Sequence, residues 1–449
     1  MRFFLMFWNL ALFLHFAEDW NRPLLCLTAI LFSLLSWGLR SLLTAWRLTT
    51  FASMAFCWYQ FPIQANHMNY LTFANTSLFA MSFFIPLQQS RIYLRMIMYS
   101  LSSVYLWAGI HKLNSDFFNP PVSCATNMIG RFTKRYFDYK LNKELFQSNL
   151  PAIAAVTVEL AISFLIPFRR TFLFATTLCI GLHAFLVPVG FVDFASVSMA
   201  LFALAFLSED ILSENYKRHF MHLAHIYFWA QLAGGTFTGL MQFGLNARLT
   251  YFAQVFFWEL FAGCILFFVY VTIRSRGSAW VAAPPASDPP LLLRAKVALF
   301  LPAILVFLFG SQNYLGLSTA GTFSMFSNLR TEGGSWNHLF IPESIKIFDF
   351  QEKLYYVKRI SRKFRKENHD HPSPGYAMPE FEIFRLLRQW EKRGIKPDNF
   401  EVIPLFDRSQ MFDIFSNSYF ENDPFSDLQR KWLYFRKVQN LDEPNRCRW

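Results

Sequence analysis

The sequence predicts an all-α polytopic membrane helix bundle of about nine to eleven spans, with a small water-exposed C-terminal α/β-type appendage. Three observations predict it. The 449 residues are 54% hydrophobic and only 16% charged, where an ordinary soluble chain carries about 25% charged residues. Apolar runs near the roughly 20 residues that cross a bilayer follow one another. They are continuous rather than alternating, which excludes a β-barrel. The composition then changes after residue 327.

The runs come in order. Phe3–Phe16 and Phe51–Ile63 are short, and fit tilted, re-entrant or truncated spans. Leu24–Leu43, Tyr70–Leu87, Ile92–Ile110, Pro151–Pro167, Thr171–Pro188, Phe194–Leu207, Phe220–Phe243, Thr250–Ile273 and Ala295–Tyr314 are the main candidates. Phe3–Phe16 has only Arg2 before it, and Glu18-Asp19-Trp20 rather than a small-residue cleavage site after it. It is therefore expected to be retained rather than removed as a signal peptide. The polar loop Asn114–Asn149 interrupts the series, and its basic, aromatic part Arg131–Lys143 suits a helix on the membrane surface. Arg274–Pro290 reads as a flexible connector.

Residues 1–327 form the expected membrane domain and 328–449 the charged soluble region. The formal net charge is +12, of which the first part carries +9 and the second +3. Such an excess in loops points to anionic lipid rather than nucleic acid, and to a cytoplasmic side for the basic loop and tail. Within the tail, Lys353–Lys366 suits an amphipathic helix near lipid headgroups. Glu380–Arg393 has helical spacing ending at Gly394, and Phe400–Phe406 suits a short strand. The six cysteines are scattered without metal-ligand spacing, so neither a disulfide framework nor a metal site is expected.

The sharpest chemical signal lies where Ile92–Ile110 ends. His111, Lys112, Asn114 and Asp116 fall within six positions, and ionisable groups at a membrane boundary are costly unless solvated or paired. His67, His183, Glu159, Asp193 and Glu259 are further polar groups in or beside apolar runs. Each has a plainer reading: a lysine at a span end can snorkel to water, and a lone histidine can bridge two helices. Burial disfavours the charged form of a lysine, which is how such a residue becomes a base.

These residues carry a resemblance. Ala108-Gly-Ile-His-Lys-Leu-Asn-Ser-Asp-Phe117, Asn66-His67-x-x-Tyr70-Leu71, and Phe323-Ser-Met-Phe-Ser-Asn-Leu-Arg-Thr-Glu-Gly-Gly334 followed by Asn337-His338 are together similar to the HTTM family. That family's transmembrane domain is shared with vitamin K-dependent gamma-carboxylases, and the match covers about residues 50–340. The resemblance is to the bacterial type and implies a bacterial inner-membrane location. It implies Lys112 as the base that deprotonates a quinol (reduced vitamin K or another), and His67 in the carbanion step. His111, Asn114, Asp116 and His183 are the matching candidates for holding the cofactor, and no metal is implied. The substrate would be glutamate-containing or small. Two departures stand out: His111 replaces a second lysine, and only about 120 residues follow the last run, too few for the large luminal domain of the carboxylases. A non-catalytic quinone-binding subunit of DoxX-like type and a transporter are the alternatives.

Overall fold

The computed structural model describes residues 1–17, 23–137, 147–168, 170–208, 212–241, 247–276, 293–360, 374–394, 400–407, 410–438 and 443–447. The Pro-rich part of the expected connector, the basic stretch 361–366 and the latter half of Arg131–Lys143 lie outside them. The structure is 66% helical with one small antiparallel sheet. It divides into two compact units: one of residues 1–59, 70–106 and 157–306, and one of 60–69, 107–156 and 307–449.

Helices do form at the apolar runs. They are α1 (Arg2–Ala17), α2 (Pro23–Gly38), α3 (Leu42–Gln60), α4 (Asn66–Met81), α5 (Ser90–His111), α6 (Cys124–Phe137), α7 (Leu150–Leu165), α8 (Phe172–Leu186), α9 (Val192–Ser208), α10 (Glu214–Met241), α11 (Ala247–Arg276) and α12 (Leu293–Gly310). The expectation of nine to eleven spans is nevertheless overturned. Among the described residues only two helical segments, Phe172–Val189 and Tyr251–Ser275, are long and apolar enough to cross a membrane. The physical reasons are length and charge. α1, α2, α4 and α7 have 16 residues each, about 24 Å against a hydrocarbon core of about 30 Å. The longer α5 carries Arg91 and Arg95, and α10 carries Lys217, Arg218, His219 and His222.

The apolar side chains of the first unit serve helix-on-helix packing. α1 lies against α2, α9 and α10, and α11 against α8 and α10. Phe4, Phe7, Leu10 and Phe13 of α1 have no exposed surface, so the apolarity of Phe3–Phe16 is that of a core helix. Trp8 Nε1 donates to Asn75 Oδ1 at 2.8 Å, and Ser53 Oγ donates to Asn9 Oδ1 at 3.1 Å. Polar atoms inside the helix stack thus find partners, as burial requires.

The second unit contains a four-stranded antiparallel sheet ordered β2-β1-β3-β4. Its strands are β1 (Leu354–Ile360), β2 (Ala377–Pro379), β3 (Phe400–Pro404) and β4 (Phe412–Asp413). α13 (Glu380–Lys392) covers it, with Ile383, Phe384 and Trp390 packed on Tyr355, Val357, Phe400 and Val402. The basic run at 353–366 is a correction: its described part is the central strand, not an amphipathic helix. Tyr355, Val357 and Ile360 are β-formers that face the core, while Lys358 and Arg359 stay exposed.

Cys124 and Cys447 form a disulfide with Cα atoms 4.7 Å apart, against the expectation that no cysteines pair. Their separation of 323 residues leaves no spacing signature. Closing so long a loop constrains the unfolded chain, so Cys124→Ser is expected to cost about 2–4 kcal/mol of unfolding free energy. Thermal unfolding should show the same loss on adding dithiothreitol to the wild type, and no further loss in the variant.

Candidate functional site

Three sequence segments far apart in the chain are fastened together in the second unit, and the loop Gly321–Asn328 is where they meet. Asn66, at the start of α4, accepts a hydrogen bond at Oδ1 from the backbone N–H of Phe323 at 2.7 Å. Asn69 Nδ2 donates to Gly321 O at 3.0 Å and is itself positioned by Gln64 Nε2, 2.7 Å from its Oδ1. From the C-terminal turn of α5, His111 Nε2 donates to Thr322 O at 3.0 Å. His67 and Lys112 therefore sit on segments bonded to the same three-residue stretch. Both side chains are buried, at 5% exposure each.

The loop backbone is unusual. Gly321 has φ +75°, and a Cβ there would lie 2.4 Å from Asn69 Nδ2, so the approach of Asn69 requires glycine. Phe323, Phe326 and Asn328 have φ of 64°, 57° and 55°. Non-glycine residues in this region cost of order 1 kcal/mol or more, and persist only where surrounding bonds over-determine them.

Those bonds are present. Asn114 Nδ2 donates to Ser327 O at 2.6 Å and to His111 O at 2.8 Å, while its Oδ1 accepts from Phe117 N at 2.8 Å. Asp116 Oδ2 accepts from Asn337 Nδ2 at 2.8 Å and from the backbone N–H of Asn445 at 2.9 Å. Asn328 Oδ1 accepts from Cys124 N at 2.8 Å, and its Nδ2 donates to Val122 O and Asn445 O. Beyond the loop, Glu332 is fully buried and ion-paired with Arg436 at 2.8 Å.

His111 has both ring nitrogens in use. The Tyr314 hydroxyl donates to Nδ1 at 2.9 Å while Nε2–H goes to Thr322 O. The ring stacks on Trp107, with centroids 5.2 Å apart. Burial pushes its pKa down to about 3, so the ring is neutral. His338 is similarly occupied: Nε2–H donates to Ile110 O at 3.0 Å, and Nδ1 accepts from the N–H groups of Phe340 and Ile341. Burial lowers its pKa as well. Lys112 Nζ donates to Ala108 O at 3.2 Å, one turn back along α5.

The residues expected to hold a cofactor thus separate. The hydrogen bonds described above for His111, Asn114 and Asp116 are internal, and they brace the turn that carries Lys112. His183 belongs to the first unit, where Nε2 meets the Tyr105 hydroxyl at 2.8 Å and Ser198 Oγ at 3.2 Å. Asp193, also there, pairs with His15 at 3.1 Å. Sequence reasoning missed Tyr314, Arg436 and Asn445. No motif surrounds them, and each makes a hydrogen bond to a partner 100 or more residues away.

A neutral buried histidine makes stability depend on pH. Its folded-state pKa lies below the unfolded value of 6.5, so unfolding takes up a proton between about pH 6.5 and 3. Stability should fall as pH drops through that window, by at most about 1.4 kcal/mol per pH unit from this residue. Denaturant titrations at stepped pH should show a shallower slope for His111→Phe, which keeps the stacking on Trp107. No family model matches this chain, and no curated protein and no solved structure matches it either.

Proposed function

We propose that the chain is a membrane-associated enzyme of the HTTM type. It would use a quinol and oxygen in carboxylase-like chemistry, with Lys112 as the proton-accepting base and His67 as its partner. One observation supports this above the rest. The three patches that resemble the family lie more than 200 residues apart at the extremes, yet side chains of two of them, Asn66, His111 and Asn114, are bonded to the strained loop that opens the third. A purely structural lysine at a helix end would not need so many buried amides spent on its surroundings.

The residues fit a proton-transfer role. Lys112 and His67 are both buried, and they lie on the segments that Asn66 and His111 fasten to the loop. A quinol held there would supply, on oxidation, a base strong enough to form a carbanion next to a carboxyl-bearing side chain. In its uncharged form, Lys112 accepts a proton at Nζ. The neutral, doubly bonded His111 keeps the adjacent backbone from shifting when that charge appears. Pre-set dipoles of this kind lower the cost of a developing charge. The disulfide between Cys124 and Cys447 favours an oxidising compartment for the second unit. We therefore place it on the outer side of a bacterial inner membrane, opposite to the expectation from basic loops. The two spanning-length segments, Phe172–Val189 and Tyr251–Ser275, would hold the first unit in the bilayer.

The purified full chain in detergent should convert reduced vitamin K to its epoxide in the presence of oxygen. Lys112→Ala should lower the rate by about 100-fold or more, the usual contribution of a positioned base, and His67→Ala should also reduce it. Absence of epoxide with the wild type, or equal formation by Lys112→Ala, refutes the reading. Quinone binding without turnover that survives Lys112→Ala would point instead to a non-catalytic binding subunit.

A further inference from the structure

A groove of about 510 Å³ lies in the first unit, between α10 and α11. Leu223, Leu260, Phe267 and Phe268 give it apolar walls, and Gly263 gives it a floor. From Glu259 to Phe268 the wall runs nine helical positions, about 13 Å, so the groove suits a chain rather than a compact ring.

Four side chains with polar atoms interrupt the apolar lining, Tyr216, His219, Glu259 and Cys264, and two of them matter most. Glu259 Oε1 is buried and has no hydrogen-bond partner. It lies well inside Tyr251–Ser275, one of the two segments apolar enough to cross a membrane. A carboxyl oxygen left in such a place without a donor is costly. The second group is His219, whose Nδ1–H donates to Asn215 O at 2.8 Å. In the neutral ring this leaves Nε2 as an acceptor. The groove therefore presents acceptors on both walls, and Glu259 is the one acid or base of Asp, Glu, Lys or Arg type among its lining residues.

We infer that this groove binds a single-chain amphiphile whose head is a protonated amine, with the ammonium at Glu259 and His219 and the chain along Phe267 and Phe268. An ammonium carries three donors and the charge opposite to a carboxylate, and charge-assisted bonds of this kind are the stronger ones. An anionic head would meet no lysine or arginine in the lining, where Tyr216 and Cys264 offer only neutral donors. A plain acyl chain would leave Glu259 Oε1 as it is. The site is independent of the chemistry at Lys112.

The floor provides a clean test. A Cβ built on Gly263 meets nothing within 4 Å, so Gly263→Leu fills the groove without displacing a neighbour, and leucine is the better helix former. Leu223→Trp fills it from the facing helix. The full-length protein in a nonionic detergent would be titrated with dodecylammonium, dodecanol and dodecanoate, three probes with one chain length, and bound copies counted by native mass spectrometry. Dodecylammonium is expected to bind one to one and at least about ten-fold tighter than dodecanol, with dodecanoate weakest. Gly263→Leu and Leu223→Trp should abolish binding. Glu259→Leu should bring dodecylammonium down to the dodecanol level, and Lys112→Ala should change nothing. Equal binding of the three probes, or undiminished binding by both groove-filling variants, overturns the proposal.

Discussion

The second unit depends on one constraint: the backbone of Gly321–Asn328 must stay in a left-handed, kinked path that no local preference supports. Three non-glycine residues there have positive φ, and two of them are phenylalanines, the kind of bulky side chain that avoids this region. The path is kept because its peptide groups are bonded from outside. Asn66 takes the N–H of Phe323, Asn69 and His111 take the carbonyls of Gly321 and Thr322, and Asn114 takes that of Ser327. Asn69, His111 and Asn114 are themselves buried, so losing one of them leaves an unsatisfied group with no water to replace it. The bonds are therefore coupled, and weakening one of them strains the rest.

That coupling extends to the turn that carries Lys112. Lys112 lies between His111 and Asn114, which are anchored at Thr322 and Ser327, and Asp116 is anchored to Asn337 and Asn445. The disulfide of Cys447 with Cys124 ties the segment bearing Asn445 to α6, whose first N–H is taken by Asn328. Backbone displacement at Lys112 would have to break several of these links together. A side chain on a backbone held in this way has little backbone freedom left to lose when a partner group arrives.

The helices were legible in the sequence, and their environment was not. Apolar runs gave every long helix of the first unit, because a run of apolar residues with few breakers forms a helix in lipid and in a helical core alike. Whether its surface meets lipid or another helix depends on partners that a window average does not contain. Phe7 of α1 packs against Tyr227 and Phe261, with centroids 5.4 and 5.8 Å away. Nothing in Phe3–Phe16 announces those rings. The tail shows the same division. The three-residue spacing of Phe381, Phe384, Leu387 and Trp390 was enough for α13. Lys353–Lys366 misled because its lysines and arginines outweighed the Tyr-Tyr-Val triplet that pairs with β3. Lys112 and His67 stood out by chemistry and motif. Tyr314, Arg436 and Asn445 did not, since a hydrogen bond across 100 residues or more leaves no local trace.

His111 shows how the site could differ from a two-lysine arrangement. A second ammonium next to Lys112 would repel it and would need its own counter-charge in a buried place. A histidine with a hydroxyl on one nitrogen and a carbonyl on the other needs none, because its neutral form satisfies both partners. Burial, the largest influence on this ring, holds it in that form. At this position a neutral ring keeps the loop in place where a lysine would bring a titrating charge. The neutral imidazole thus holds the backbone beside Lys112 without bringing a second charge into a buried place.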